Sequence, residues 1–559
     1  MKKSRFYLDA VLVGVLGVAV LGTTMALSRR APDYAFFDPI IDVKHLIDTR
    51  FVGEVDGDEL QRAAIDGMLG ALNDPFSSYV PASAAAQFTR DLTGEYVGIG
   101  AQIMVRDGWL TIVSPLEDSP AYRAGIMADD RVVEIEGQST FGKTADECVE
   151  LLLGEEGTPV ELLIERGGDR FTIEIVREQI RTRSVRGVLR DPEDPEAWNY
   201  FVDPDRRIAY IRITQFTPSV AEELRQALAR INAADGSLGG LILDVRNNPG
   251  GVLDEAVRVA DLFLDGGVVV STKGRAVGER AYSASASGTL PDFPLVVLIN
   301  GASASASEVV AGALADHDRA IAIGTRSFGK GSVQSVYALP TRSDGSRLKL
   351  TEQYYYLPSG RLLHRKDESV VWGVDPTEGF FVPVTNEQAM EMFIARRDLD
   401  VIRAAEPDNG REVPEGPLAI AEQLKDPQLD AAVRALIARV DTGQWKATGE
   451  PGITGAEQIT QELVEARRMR ERMLRQLQGL ERRIETLQAG ASDPDAAFSA
   501  DLWDDNIEIA GGRLEVYGPD GERIATLSIT DNRLERWLID AGVRPMEDAE
   551  SPELQESTP

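Results

Sequence analysis

Three short stretches of this sequence carry side chains that can do chemistry together. The run Ser303-Ala304-Ser305-Ala306-Ser307-Glu308 sets hydroxyls among small residues at the entrance of a helical pattern. At such an entrance a hydroxyl stays accessible, and the first backbone N–H groups are left free to hold an oxyanion. The same letters form a capping box, Ser305-x-x-Glu308, and on this stretch alone the box is the stronger reading. The second stretch, Gly324-Thr325-Arg326-Ser327-Phe328-Gly329-Lys330-Gly331-Ser332-Val333-Gln334, nearly matches a nucleotide-binding loop. Gly331, however, stands where a magnesium-binding hydroxyl is needed, and the β-prone Val333, Ser335 and Tyr337 follow where a helix must open. A lysine enclosed by Phe328 and glycines is desolvated instead; desolvation lowers its pKa, and a neutral amine can take a proton from a serine. The third stretch is Asp244-Val245-Arg246-Asn247-Asn248-Pro249-Gly250-Gly251. Its glycines let backbone N–H groups come close to a ligand, although taken by itself it reads as a tight turn.

The elements around these stretches alternate. Apolar runs at 241–245, 295–299 and 320–323 read as strands, and the segments from about 253 to 263 and 306 to 315 read as helices. That order implies an α/β layer structure. Upstream, Trp109–Val113 and Val160–Ile164 read as half-buried strands, with a helical segment from Thr144 to Leu153 between them. Tyr96-Val97-Gly98-Ile99-Gly100-Ala101 leads into a further strand, Ala101 to Val105. Glycines beside a strand start let N–H groups converge on a terminal carboxylate. With SPAYRAGI at 119–126 and DDRVVEIEGQ at 129–138, this region resembles a PDZ domain covering about 93–182. The resemblance implies that Val97, Gly98, Ile99 and Gly100 form the carboxylate-binding loop. It also implies that a bound peptide adds as a strand beside Ala101 to Val105, with a side-chain pocket near the helix from Thr144.

SASASE, RSFGKGSVQ and RNNPGG, together with DPFSSYV at 74–80, resemble the motifs of carboxyl-terminal processing peptidases, also called tail-specific proteases, over roughly 36–376. The resemblance implies a multidomain α/β protein: a crotonase-like α/β protease core, a preceding or inserted PDZ β-sandwich-like domain, and helical N- and C-terminal parts. It implies that Ser305, the middle serine, is the nucleophile, that Lys330 is the general base and that Gln334 orients the lysine. The N–H groups of Ala306 and of Gly250 or Gly251 would form the oxyanion hole. The expected reaction is amide hydrolysis through an acyl-enzyme, on proteins with accessible, fairly apolar carboxyl termini, with no metal or organic cofactor. The alternative is a catalytically inactive PDZ-containing scaffold of the same fold. Asp316-His317-Asp318 lies at the end of the serine helix pattern, where a histidine is more often a capping or surface residue than a catalytic base.

At 559 residues the chain is too long for one core, and two to four domains are expected. Its formal net charge of -32 argues against a nucleic-acid partner. Cys148 is the only cysteine, and His45, His317 and His364 are scattered, which opposes disulfides and metal centres. Lys2, Lys3 and Arg5 precede an uncharged run from Ala10 to Leu27, followed by Arg29 and Arg30. This reads 1–30 as a membrane anchor or cleaved signal, with the body on the extracytoplasmic, periplasmic side of the cell envelope. The expected divisions are a helical region at 33–92, the PDZ domain at 93–182, the protease core at 183–384 and a helical region at 385–490. Apolar residues on a 4-3 spacing within 456–488 suggest a coiled-coil seam that could pair two copies of the chain. A small α+β piece at 500–545, with a hairpin around Gly518-Pro519-Asp520-Gly521, and a disordered acidic tail at 546–559 complete the chain.

Overall fold

The computed structural model describes residues 35–452, apart from 192, 234–236, 340–343, 367–368 and 403–415, together with single helical positions between 467 and 477 and the strands Arg513–Tyr517 and Arg523–Ser528. The expected anchor at 1–30, most of the 456–488 seam and the tail from 546 lie outside the described residues. Among the described residues no helix is long and apolar enough to cross a membrane. The two C-terminal strands pair antiparallel across the predicted turn.

The three candidate stretches are positioned by two sheets, the first of them mixed. Its strands Ile208–Ile213, Gly240–Asp244, Leu295–Ile299 and Ile321–Gly324 run parallel in that order, with Val185–Arg186 antiparallel at one edge. The strands Gly240–Asp244 and Leu295–Ile299 are buried at every position. This explains their unbroken apolar letters, since a parallel strand covered on both faces has no polar side. Alternate residues serve two cores. Ala209, Ile211, Leu241, Leu243, Leu295 and Val297 pack with the helices Val220–Arg230, Leu253–Asp261 and Ala306–Asp316. Ile208, Tyr210, Ile242, Val296, Leu298 and Ile323 pack instead against Leu429, Ala432, Val433 and Leu436.

Those four residues belong to the helix Pro427–Thr442, capped by Asp426. A core ending at Val384 would leave this whole sheet face uncovered, so the packing of the α/β core extends to that helix. Its surface residues are polar, which is why the segment resembles a separate helical region when read as sequence.

A second sheet carries the lysine. Ser332–Ala338 pairs with Arg347–Tyr356, which also pairs with Ser78–Val80 and with Val268–Gly274. The strand following Lys330 confirms that the near-match to a nucleotide-binding loop does not open a helix. Residues 101–176 form an antiparallel sheet ordered Ala101–Arg106, Trp109–Pro115, Arg131–Ile135, Pro159–Arg166 and Asp169–Val176. Val160, Leu162 and Ile164 alternate inward to a core shared with Cys148 and Leu152 of the helix Ala145–Leu152. That helix starts with a complete Thr144–Glu147 capping box.

Candidate active site

Ser305 stands at the turn from the strand Leu295–Ile299 into the helix Ala306–Asp316, with φ 55° and ψ −113°. A non-glycine residue at positive φ is strained, and a sharp strand-to-helix turn of this kind lifts a side chain out of the backbone. The neighbouring serines are committed elsewhere. Ser303 Oγ donates to the Val245 carbonyl at 2.8 Å, and Ser307 Oγ donates to the Asn248 carbonyl at 3.0 Å. Both bonds tie the serine loop to the Val245–Gly251 segment, whereas the Ser305 side chain stays at its own helix start, in a capping box with Glu308. Tyr355 lies beside it: burial pushes the phenol up to about 12, partly offset by the Ser305 side chain.

Gly250 approaches this serine closely. At its φ of 98°, an added Cβ would lie 2.7 Å from the Ala304 carbonyl oxygen and 2.8 Å from Ser305 Cβ. The Gly250 N–H is already donated to Asn248 Oδ1 at 2.9 Å. Among the described residues no acceptor takes the N–H of Gly251 or of Ala306. The backbone N–H groups left open beside Ser305 are therefore those of Gly251 and Ala306, and Gly250 makes room for them. Phe216 fixes the turn from the other side, its N–H donating to Gly250 O and its carbonyl accepting from Val252 N.

Glu308 has a larger part than a helix cap. It is fully buried, and its carboxylate accepts four hydrogen bonds: Ser327 Oγ at 2.5 Å and Gly329 N at 2.6 Å on one oxygen, Ser305 N and Lys330 N at 2.8 Å on the other. One carboxylate thus joins the serine backbone to the lysine backbone. Its donors are neutral groups, and burial pushes its pKa up against their pull. The pattern Ser305-x-x-Glu308 was the only sequence signal for it, and that pattern does not show that the far partner is the Lys330 loop.

Lys330 is shifted down, first by burial and then by the charge of Lys349, while Glu308 and Asp74 pull it partly back. Phe328 does not enclose it: that ring is 47% exposed. The cover is Phe76, whose ring centre lies 5.1 Å from Lys330 Nζ. Asp74 shapes the Phe76 loop by accepting from Phe76 N at 3.2 Å and Ser77 Oγ at 2.5 Å. This gives the DPFSSYV motif a physical role that its letters alone do not reveal. Gln334 donates to Ser332 Oγ at 2.8 Å and Thr351 Oγ1 at 3.2 Å, not to Lys330. It braces the strand that carries the lysine. The Ser305 hydroxyl and the Lys330 amine are not hydrogen-bonded to each other in this structure.

His317 caps the far end of the 11-residue serine helix, about 16 Å away, and its Nε2 meets the Val268 carbonyl. It cannot serve Ser305. Among the described residues no cluster of His, Cys, Asp and Glu is arranged to hold a metal ion.

The PDZ region holds a separate groove of about 340 Å³, lined by Gly98, Ile99, Gly100, Ile103, Leu152 and Leu153 among others. The Ile99 side chain is buried in the domain core, and among the described residues the N–H groups of Ile99 and Gly100 have no acceptor. Gly100, at φ 76°, lies so close to Ser119 that a Cβ would come within 2.5 Å. Val97 pairs with Gln179 in the strand beside the groove and does not line it.

Comparison with known proteins identifies the family. Residues 207–379 match the peptidase family S41, residues 111–166 match the PDZ domain, and residues 29–84 match the N-terminal domain of the activating protease CtpB. A carboxy-terminal-processing protease of Bartonella bacilliformis is 38% identical over 365 residues, spanning 64% of this chain and 80% of that one. A probable CtpA-like serine protease of Staphylococcus haemolyticus is 39% identical over 310 residues, 55% of this chain and 58% of that one. Among solved structures, a photosystem II D1 C-terminal processing protease is 28% identical, covering 61% of this chain and 86% of that chain with a TM-score of 0.35. The chain belongs to the S41 family of carboxy-terminal-processing serine proteases and carries that family's PDZ domain.

Proposed function

We propose that this chain is an endopeptidase that cuts proteins at or near their carboxyl terminus with Ser305 as nucleophile and Lys330 as base, and that its PDZ groove receives the substrate tail. The observation that carries the reading is the Glu308 carboxylate, which bonds the backbones of both residues at once. Neutral Lys330 removes the Ser305 proton as Oγ attacks the scissile carbonyl. The oxyanion is received by Gly251 N and Ala306 N, and the protonated amine returns the proton to the leaving nitrogen. Water then repeats the sequence on the acyl-enzyme. Proton transfer requires the amine to leave the Phe76 ring and reach Ser305. A step of this kind fits a peptidase that waits for its substrate.

The unpartnered N–H groups of Ile99 and Gly100 suit a terminal carboxylate, and Ile103, Leu152 and Leu153 suit an apolar last side chain. Residues 1–30 act in this reading as signal or anchor, placing the body in the cell envelope, and 456–488 as a self-association segment. Incubating the wild type, Ser305→Ala and Lys330→Ala with an unstructured protein ending in apolar residues tests the chemistry. Wild type should shorten the protein and both variants should leave it intact while melting like wild type. Cleavage by folded Lys330→Ala would overturn the mechanism.

A further inference from the structure

A second cavity, of about 830 Å³, is not used by this chemistry. It lies across the carboxyl ends of the four parallel strands, with Arg212 next to last in the first strand and Arg246, Asn300 and Thr325 just beyond the other three. Open α/β sheets take their ligands at this end. The Ser305 loop leaves the sheet there too, beginning at Asn300 and Gly301 on the cavity wall. The remaining walls come from Ser114 to Glu117 of the PDZ region and from the helix Asn386–Asp400.

The lining contains eight arginines and four carboxylates, in a chain whose net charge is -32. Arg181 and Arg397 pair outside the lining, with Glu95 and Asp398, and the four lining carboxylates serve most of the other arginines. Asp400 bridges Arg186 and Arg212, and Glu117 bridges Arg183 and Arg190. Asp244 and Asp426 are both held by Arg246. Arg396 faces the Tyr210 ring and has no ion pair among the described residues. Arg212 Nε, Arg396 Nη2 and Asp400 Oδ1 are buried without a hydrogen-bond partner, so the cluster is not closed on itself. Guanidinium groups with donors left over, gathered in the lining of one cavity, form a site for oxyanions, which they can grip through paired N–H donors.

We infer that this cavity binds a carboxylate-rich segment of the polypeptide substrate as it is threaded towards Ser305, so that the enzyme selects chains bearing an acidic run near the cleaved end. The inference rests on the peptidase reading for its substrate, and its binding step is tested without catalysis.

Fluorescein-labelled hexaglutamate is titrated into the full chain carrying Ser305→Ala, with hexaglutamine and inorganic tripolyphosphate as comparison ligands. Hexaglutamate should bind, weaken about tenfold between low and physiological salt, and weaken about tenfold or more in Arg186→Gln/Arg396→Gln. Hexaglutamine should not bind. The half-exposed Arg183→Gln, with a smaller loss, serves if the double variant does not fold. In the active chain, an unstructured substrate with an acidic run should be cut about tenfold faster than its amide counterpart. Arg186→Gln/Arg396→Gln should erase that preference and keep the rate on the neutral substrate. Hexaglutamate binding that is absent, or unchanged by the arginine substitutions, overturns the inference; so does tripolyphosphate binding without hexaglutamate binding. Binding with no cleavage of either substrate would leave the cavity assignment intact and count against the peptidase reading.

Discussion

The peptide groove and the catalytic centre both use glycines beside a strand end to free backbone N–H groups, yet they are assembled differently. Most of the groove comes from two short stretches of one domain, residues 94–103 and 149–153. The candidate catalytic centre draws on Asp74 to Ser77, Phe216, Asn248 to Gly251, Ser303 to Glu308 and Ser327 to Gln334, and one buried carboxylate joins its serine and lysine loops. A site built locally weakens in proportion to what is removed. A site held at one shared point fails together.

The sharpest way to break this comparison is Gly250→Ala. Its Cβ would collide with the Ala304 carbonyl and Ser305 Cβ at a positive φ, displacing the serine from its oxyanion donors. Peptidase activity should fall about 100- to 1,000-fold, with PDZ peptide affinity unchanged by fluorescence anisotropy. Next comes Glu308→Gln. An amide can accept only through its oxygen, so donors now bonded to the other atom are stranded at a cost of about 1–3 kcal/mol each. Activity should drop about 100-fold, and calorimetry should show a lower melting temperature. Retained activity in this variant would show that the carboxylate is merely a helix cap. Leu153→Ala addresses the groove: peptide affinity should weaken about tenfold or less as apolar wall is lost. Cleavage of a substrate at saturating concentration should barely change.

The smallest effect is a pH shift. Lys349 helps burial to lower the Lys330 pKa, and the proposed reaction needs the neutral amine. Activity should therefore rise with pH as Lys330 loses its proton. Removing the neighbouring charge with Lys349→Met should move that rising limb to higher pH, read from kcat/KM profiles. A shift to lower pH would contradict the electrostatic account.

How legible each region was follows from the same contrast. The helix from Thr144 and the alternating strands at Trp109 and Val160 are each local patterns that periodicity finds, and the groove glycines stood out through the resemblance to a PDZ domain. The serine and lysine stretches stood out through their resemblance to a peptidase family, since the serine stretch alone reads as a capping box. What holds those stretches together was not. Glu308 satisfies a local capping pattern equally well, so nothing local signals its bonds to Gly329 and Lys330, 21 and 22 residues away. Phe76 covers a lysine more than 250 positions away in sequence. The helix Pro427–Thr442 closes a sheet face by tertiary packing alone. For Gln334, the expected bond to the lysine gave way to Ser332 and Thr351 because the side chain lies along the strand pair.

The most direct test of the account is the rate at which a fluorophosphonate labels the folded enzyme across pH, with the labelled peptide identified by mass spectrometry. A single adduct on Ser305, forming faster as pH rises through a limb below that of an ordinary lysine and absent in Lys330→Ala, is the predicted result. Labelling of Ser303 or Ser307, or equal labelling of Ser305 in Lys330→Ala, would contradict it.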